Sequence, residues 1–508
     1  MIEPHLPALP VLLPLVAAVV LLWLGDAAPR IVRLVSLAFV LLGLGAALAL
    51  VDRASSGELL LYRLGAWPAP FGIVLVVDRL AALMVLLVQL VALPVLVHAS
   101  GGWDLRGRYF HALFQFLLMG LCGAFVTGDL FNLFVFFEVL LTASYVLLVH
   151  GHGRERFRWG VPYVVLNLVA SALFLIGVAV LYSATGTLNL ADLARRVAEV
   201  GEPDAALLRS GALLLFVVFG FKAALAPLHL WLPAAYAAAS PPVAALFVLM
   251  TKVGVVAILR VHGAVFGDAA GAAANVVPGW LMPLALVTAA LGVFGALAAH
   301  TLAHLIAWLN IASVATVLIA VSLWSAAGWS AALYYMVHST LVVAALFLLA
   351  ELVAAQRGAA RGRLEPASPV AQPALLGSLL LLAAASIVGL PPLPGFLGKL
   401  MILQAADSAL VWTVVLASGF VTMIGLARAG SILFWSVREE SERGRAGHSA
   451  QLVATAGLLA LGVAMALAAA PIKDYTDAAA LQLRDGDAYL RAVLGRAAPS
   501  VRPYPPAP

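Results

Sequence analysis

GFKAALAPLHLWLPAAYAAASPPVAALFVLMTKVGVVAILR, residues Gly220–Arg260, decides how the chain is read. Two apolar runs flank a proline-interrupted centre. Lys222 stands five residues ahead of Pro227, and Lys252 lies in the middle of the second run. A charged side chain at mid-bilayer costs roughly 2.5–3.5 kcal/mol on insertion scales, so such residues mark an ion or proton pathway more often than packing. Pro227 and Pro233 remove backbone donors and clash with the preceding turn. The stretch therefore predicts a broken membrane helix followed by a second helix, each carrying a buried cation.

The rest of the sequence fits that environment. The chain has 508 residues, of which 64% are hydrophobic and 10% charged, and a mean hydropathy of +1.06. Soluble domains hold roughly 25% charged residues, so this is a polytopic membrane protein. The net charge of +5 comes from arginines in short loops, where they orient spans, and no basic stretch is interleaved with aromatics. Nucleic-acid binding is excluded on that basis. The single cysteine, Cys122, can form neither an intrachain disulfide nor an iron–sulfur cluster. The nearest approach to a phosphate loop, Gly395-Phe-Leu-Gly398-Lys399, has the wrong glycine spacing and Leu400 in place of Ser or Thr. No redox, nucleotide or metal site is expected, and no cofactor.

Apolar runs of about 20 residues fall near 5–24, 31–51, 71–98, 109–128, 130–149, 160–184, 207–239, 242–262, 275–299, 301–324, 330–354, 373–408, 410–436 and 450–470. The expected fold is all-α, with about fourteen transmembrane helices. Segments 207–239 and 373–408 are overlong and proline-bearing, which makes them broken helices. They lie five spans apart, an odd offset that relates two blocks by inverted topology, about 109–264 and 275–436. Residues 1–470 read as one membrane domain and 471–508 as a tail. Asn189–Val200 reads as a short amphipathic helix on the membrane surface. Arginines concentrate in the odd-numbered loops, at Arg30 and Arg33, at 106 and 108, at 154, 156 and 158, at 357, 361 and 363, and at 438, 443 and 445. The positive-inside rule puts those loops in the cytoplasm and both termini outside.

Inside the spans, Glu138 sits about midway along the fifth. Its alternatives are a carboxylate satisfied by Thr142 one turn on, or a proton carrier coupled to a buried cation. Lys222 is the natural partner, because attraction between the two opposes their separate desolvation shifts and lets them titrate as a unit. Lys252 and Lys399 are the further lysines at depth. His338 is mid-span and reads either as a relay or as a hydrogen-bonded structural histidine. His229, inside the first break, either caps freed carbonyls or relays. His300 and His304 read as solvated, and Asp78, Arg79, Asp129 and Glu351 as interfacial charges.

GDLFNLFVFFEVLLTASYVLLVHG, FGFKAALAPLHLWLPAAYAAASPPVAALFVLMTKVGVVAILR, LYYMVHSTLVVAALFLLAE and GLPPLPGFLGKLMIL resemble signature segments of a known family. It comprises the antiporter-like subunits of respiratory complex I, membrane-bound hydrogenases and the Mrp (Pha, Mnh) multisubunit cation/proton antiporters. The FNLFVFFEVLL, SPPVAALFVLMTKVG and HSTLVVAALFLLAELV forms are most similar to the D-type branch of the Mrp antiporters. The resemblance implies a fourteen-helix core with inverted repeats and a buried polar axis. Glu138 and Lys222 would form its first proton-accepting pair, Lys252 and His338 the central relay, and Lys399 the terminal site. Tyr236 stands where many relatives have a histidine, and Val343 where many have a lysine.

The expected function is proton translocation within a multisubunit Na+ or K+/proton antiporter. The implied partners are a larger antiporter-like subunit and small hydrophobic subunits, in a bacterial inner membrane. The alternative is a proton-pumping membrane subunit of a complex I-like or hydrogenase-like redox complex.

Overall fold

The computed structural model describes residues 3–25, 28–436 and 449–495, most of them helical. Arg438, Arg443, Arg445 and the last residues of the expected tail lie outside them. Helices α1 (Leu9–Leu24), α2 (Pro29–Ser55) and α3 (Arg79–Ala99) lead into a first block. That block holds α4 (Phe110–Val126), α5 (Leu130–Val149), α6 (Arg154–Thr185), α7 (Leu190–Glu199), α8 (Glu202–Lys222), α9 (Trp231–Ala238) and α10 (Pro241–Ala257). The second block holds α11 (Pro278–Leu297), α12 (Leu302–Ser322), α13 (Ala326–Ala355), α14 (Pro373–Val388), α15 (Pro394–Ala405) and α16 (Ala409–Phe434). After it come α17 (Ser449–Leu467), α18 (Ala469–Arg484) and α19 (Gly486–Leu494).

Twelve helices among the described residues are long and apolar enough to cross a membrane, against the expected fourteen or so; α4 and α14 are shorter apolar helices at the other two expected positions. Helices α10, α12 and α13 are buried on nearly every side, whereas α2, α6, α11 and α16 leave most of their apolar surface uncovered. Apolar residues all round a helix mean a core position or a lipid-facing one, and both kinds occur here. One continuous apolar cluster runs from Ala8 to Leu483.

Both expected breaks are present. Helix α8 stops at Lys222, Ala224 adopts φ 54°, and the chain becomes helical again at Trp231. Helix α14 stops at Val388, Gly389 adopts φ +90°, and α15 starts at Pro394. A Cβ at that φ is strained, which suits glycine as the terminator.

The two blocks also repeat a local device. Asp129 caps α5 by accepting from the Asn132 N–H at 2.8 Å, and Thr301 caps α12 by accepting from the His304 N–H at 3.2 Å. Each capping segment pairs with the residues that follow the next helix. Leu130 N donates to Leu188 O at 2.8 Å and Leu190 N to Gly128 O at 2.9 Å; Leu302 N donates to Gly362 O at 2.8 Å and Leu364 N to His300 O at 2.9 Å. Glu138 lies eight residues after Leu130, and Asn310 eight after Leu302. Asn310 therefore holds, in the second block, the place of Glu138 in the first.

Three features differ from the expectations. The third span does not start near residue 71: Val74–Val77 pairs antiparallel with Leu60–Arg63 as a small hairpin, and the helix starts at Arg79. The stretch from 471, read as a tail, is helical through Leu494 and packs on α3 and α13. Helix α7 forms as expected, with Leu190, Leu193 and Val197 buried, but it packs on the π-helical continuation of α10, Ile258–Val265, and on α19.

Candidate functional site

Helix α6 joins the first two expected site residues. The Ser171 hydroxyl donates to the Glu138 carboxylate, and the Lys222 ammonium donates to Asn167 Oδ1 at 2.9 Å. Asn167 and Ser171 are four residues apart on α6, hence on one face. No ion pair within 4 Å joins Glu138 to Lys222 among the described residues; each is held by its own α6 residue, one turn apart, and the Asn167 amide N–H donates to Tyr163 O at 2.8 Å. Lys222 is the last residue of α8, where the break begins, and its Nζ lies 5.5 Å from the Phe137 ring centroid. Glu138 is partly buried and Lys222 buried. Thr142, the alternative partner for the carboxylate, is exposed.

Lys252 is buried on α10 and donates to Asn310 Oδ1 at 3.1 Å and to Thr251 Oγ1 at 3.4 Å. His338, buried on α13, lies against the second break: a Cβ on Gly395 would come within 2.7 Å of its Nε2 and 1.9 Å of the Ser386 carbonyl. Lys399, on α15, reaches back to the end of α14, where its Nζ donates to Val388 O at 2.8 Å and Ile387 O at 3.3 Å. The structure thus brings Glu138 and Lys222 to one face of α6 and His338 and Lys399 to one break. Lys252 contacts neither group directly and is linked to the second block through Asn310.

His229 does not cap the first break. Its ring packs edge-on against Trp308, while Trp231 Nε1 donates to Phe221 O at 3.2 Å and Thr288 Oγ1 accepts from the Ala226 N–H at 2.8 Å. Tyr236 donates to Phe247 O at 2.7 Å. Asp78, read as interfacial, is buried in a two-pronged pair with Arg260 at 2.5 and 2.6 Å. Asn167, Ser171 and Asn310 were not singled out from the sequence; the available signal was a polar residue inside a long apolar run. No cluster of three or more His, Cys, Asp or Glu among the described residues is placed to hold a metal.

What these lysines share is a neutral acceptor. A lysine held by an amide or a carbonyl in an apolar bundle tolerates both its charged and its neutral form, whereas a fixed carboxylate would hold it charged. A helical bundle with two broken helices and such lysines at the breaks has the design of a transporter-type membrane subunit. The chain belongs to the NADH:quinone oxidoreductase/Mrp antiporter transmembrane family, whose model matches residues 127–425. The D subunit of a probable K+/H+ antiporter of Rhizobium meliloti is 42% identical to it over 469 residues, 85% of this chain and 87% of that protein. The D subunit of a Na+/H+ antiporter of Bacillus subtilis is 36% identical over 500 residues, 96% of this chain and 98% of that one. A chain of the Mrp complex from Dietzia sp. DQ12-45-1b, 27% identical, superposes with a TM-score of 0.88 over 97% of this chain and 100% of its own length.

Proposed function

We propose that this chain is the proton-translocating subunit of a multisubunit Na+ or K+/proton antiporter, with Glu138, Lys222, Lys252, His338 and Lys399 as its proton route. The observation that carries the reading is the set of neutral partners. Asn167, Asn310 and the Val388 carbonyl each hold one lysine without locking its charge. A proton arriving at Glu138 weakens its attraction for the Lys222 ammonium, which then favours loss of a proton from Lys222 toward Lys252; the carboxylate and the lysine exchange protonation as a coupled unit. His338 and Lys399 take the proton to the second break. The residues 109–264 and 275–436 form the two inverted repeats that carry these halves. The naming of relatives as antiporter subunits supports this reading over a redox complex.

The chain works in a bacterial inner membrane with both termini outside, beside a larger antiporter-like subunit and small hydrophobic subunits. It carries no redox or nucleotide chemistry of its own. The test is cation exchange driven by a pH gradient in proteoliposomes holding the assembled complex. Glu138→Ala and Lys222→Ala are expected to reduce exchange to background with assembly intact. Asn167→Leu, which removes one hydrogen bond from the ammonium, is expected to reduce it about tenfold. Exchange at the wild-type rate in Glu138→Ala or Lys222→Ala overturns the pair.

A further inference from the structure

Of the three lysines on the axis, only Lys399 rests on backbone oxygen. The end of α14 leaves carbonyls without intrahelical partners, and those of Ile387 and Val388 accept from its ammonium at 3.3 and 2.8 Å. The lysine also lines a small cavity between α12 and α16, whose other polar residues are Ser313, Thr316, Tyr335, Ser418 and Thr422. Ser313 and Thr316 donate their protons to Leu309 O and Ala312 O at 2.8 and 2.9 Å, and the buried Tyr335 phenol also hydrogen-bonds to both, so of the cavity hydroxyls Ser418 and Thr422 are the ones it does not engage. The wall facing the ammonium is Gly419, where a Cβ would stand 3.4 Å from both Lys399 Nζ and Val388 O.

The oxygens around this charge carry no formal charge of their own. Where the first block has Glu138, the second has Asn310. The ammonium is held by carbonyl dipoles and by the negative end of the α14 dipole. Hard monovalent cations are bound by this same chemistry: carbonyl and hydroxyl oxygens at the C-terminal end of a broken membrane helix.

We propose that the break between α14 and α15 is a monovalent-cation site, in which Na+ or K+ takes the Ile387 and Val388 carbonyls and the Thr422 hydroxyl when Lys399 gives up its proton. The exchange balances. The ammonium loses one proton to water, the neutral amine swings off the carbonyls, and one cation replaces one positive charge. The site would make this chain a place where cation and proton compete, so it rests on the antiporter reading above and adds to it where the cation binds.

The experiment follows protons with an indicator dye in a lightly buffered detergent solution of the assembled complex, as NaCl, KCl or choline chloride is added. Release on adding NaCl or KCl but not choline chloride is expected. Lys399→Arg, a cation that does not deprotonate, is expected to remove that release. Thr422→Val is expected to raise the half-saturating cation concentration about fivefold with the amplitude kept. Equal release with choline chloride, release unchanged in Lys399→Arg, or half-saturation unchanged in Thr422→Val overturns the site. If Lys399→Arg fails to assemble, the Thr422→Val shift alone decides. A wild-type complex that exchanges no cation for protons in proteoliposomes removes the antiporter reading, whereas intact exchange with no Thr422→Val shift removes only the cation site.

Discussion

Asp104, in the turn between α3 and α4, gathers two partners on one buried carboxylate. Arg33 donates at 2.6 and 2.9 Å, and His111 Nε2 stands 3.2 Å away. Burial alone would push the carboxyl up, but the hydrogen bonds from His111 and Arg33 and the attraction of both outweigh it, so the carboxyl is held below the ordinary carboxylate range. A carboxyl with a lowered folded pKa contributes stability above its unfolded pKa and loses it as pH falls through the folded one. Thermal midpoints of the detergent-solubilised protein should therefore drop below about pH 4. Asp104→Asn should flatten that part of the profile and cost roughly 1–3 kcal/mol at neutral pH, discounted because Arg33 is partly exposed. Equal acid slopes in the two proteins would remove this role. Asp104 was not legible as a site from the sequence, since a charged residue in a loop reads as solvated. Lys222 and Lys252 were legible because charge inside an apolar run is costly. Asn167 and Asn310 were not, because an uncharged amide in such a run carries a far weaker signal, and only the fold shows that they meet the lysines.

Among the elements, the breaks are legible from excess length together with proline and not from proline alone, since Pro14, Pro94, Pro162 and Pro283 lie inside uninterrupted helices. The hairpin was missed because Val74–Val77 is apolar and continues into the run of α3. The helices after 468 were missed because they mix polar and apolar residues, so hydropathy alone read them as a tail. How closely α15 sits against α14 was also beyond the sequence, and Gly395 decides it. Its missing Cβ would lie 1.9 Å from the Ser386 carbonyl, a backbone atom that cannot rotate away. Gly395→Ala should force α15 off α14, move Lys399 from the Val388 carbonyl and cost roughly 1–3 kcal/mol. Gly457→Ala on α17, with nothing within 4 Å of the added carbon, should be neutral or gain up to about 1 kcal/mol. Melting of the two variants beside wild type checks the contrast, and equal midpoints would mean that the contact at Gly395 is not tight.

At the scale of the whole molecule, α18 ties together parts of the chain that are distant in sequence. Gln482 accepts from the Arg79 N–H at 3.0 Å and donates to Gly57 O at 3.1 Å, Tyr475 donates to Arg79 O at 3.0 Å, and Ser330 at the start of α13 donates to Asp477 at 2.5 Å. Beneath this clasp lies the Asp78–Arg260 pair, joining the start of α3 to the π-helical segment Ile258–Val265 that follows α10, with Asp78 also capping α3 through the Ala81 N–H at 2.8 Å. The Asp78 and Arg260 side chains are 4% and 11% exposed, so neither can be hydrated in place of its partner. Removing one member of a buried pair strands the other, at a cost of about 3–5 kcal/mol, whereas removing both leaves no uncompensated charge. Arg260→Gln alone should therefore destabilise the protein more than Asp78→Asn with Arg260→Gln together, although the double variant has lost more charge. Asn at 78 keeps the cap on α3, so the difference reports the stranded carboxylate and not the helix start. Melting of the two variants in detergent gives the answer: a double variant less stable than the single one would mean that no uncompensated carboxylate is stranded by Arg260→Gln, and that the pair does not hold the start of α3 to the segment after α10 by compensating a buried charge.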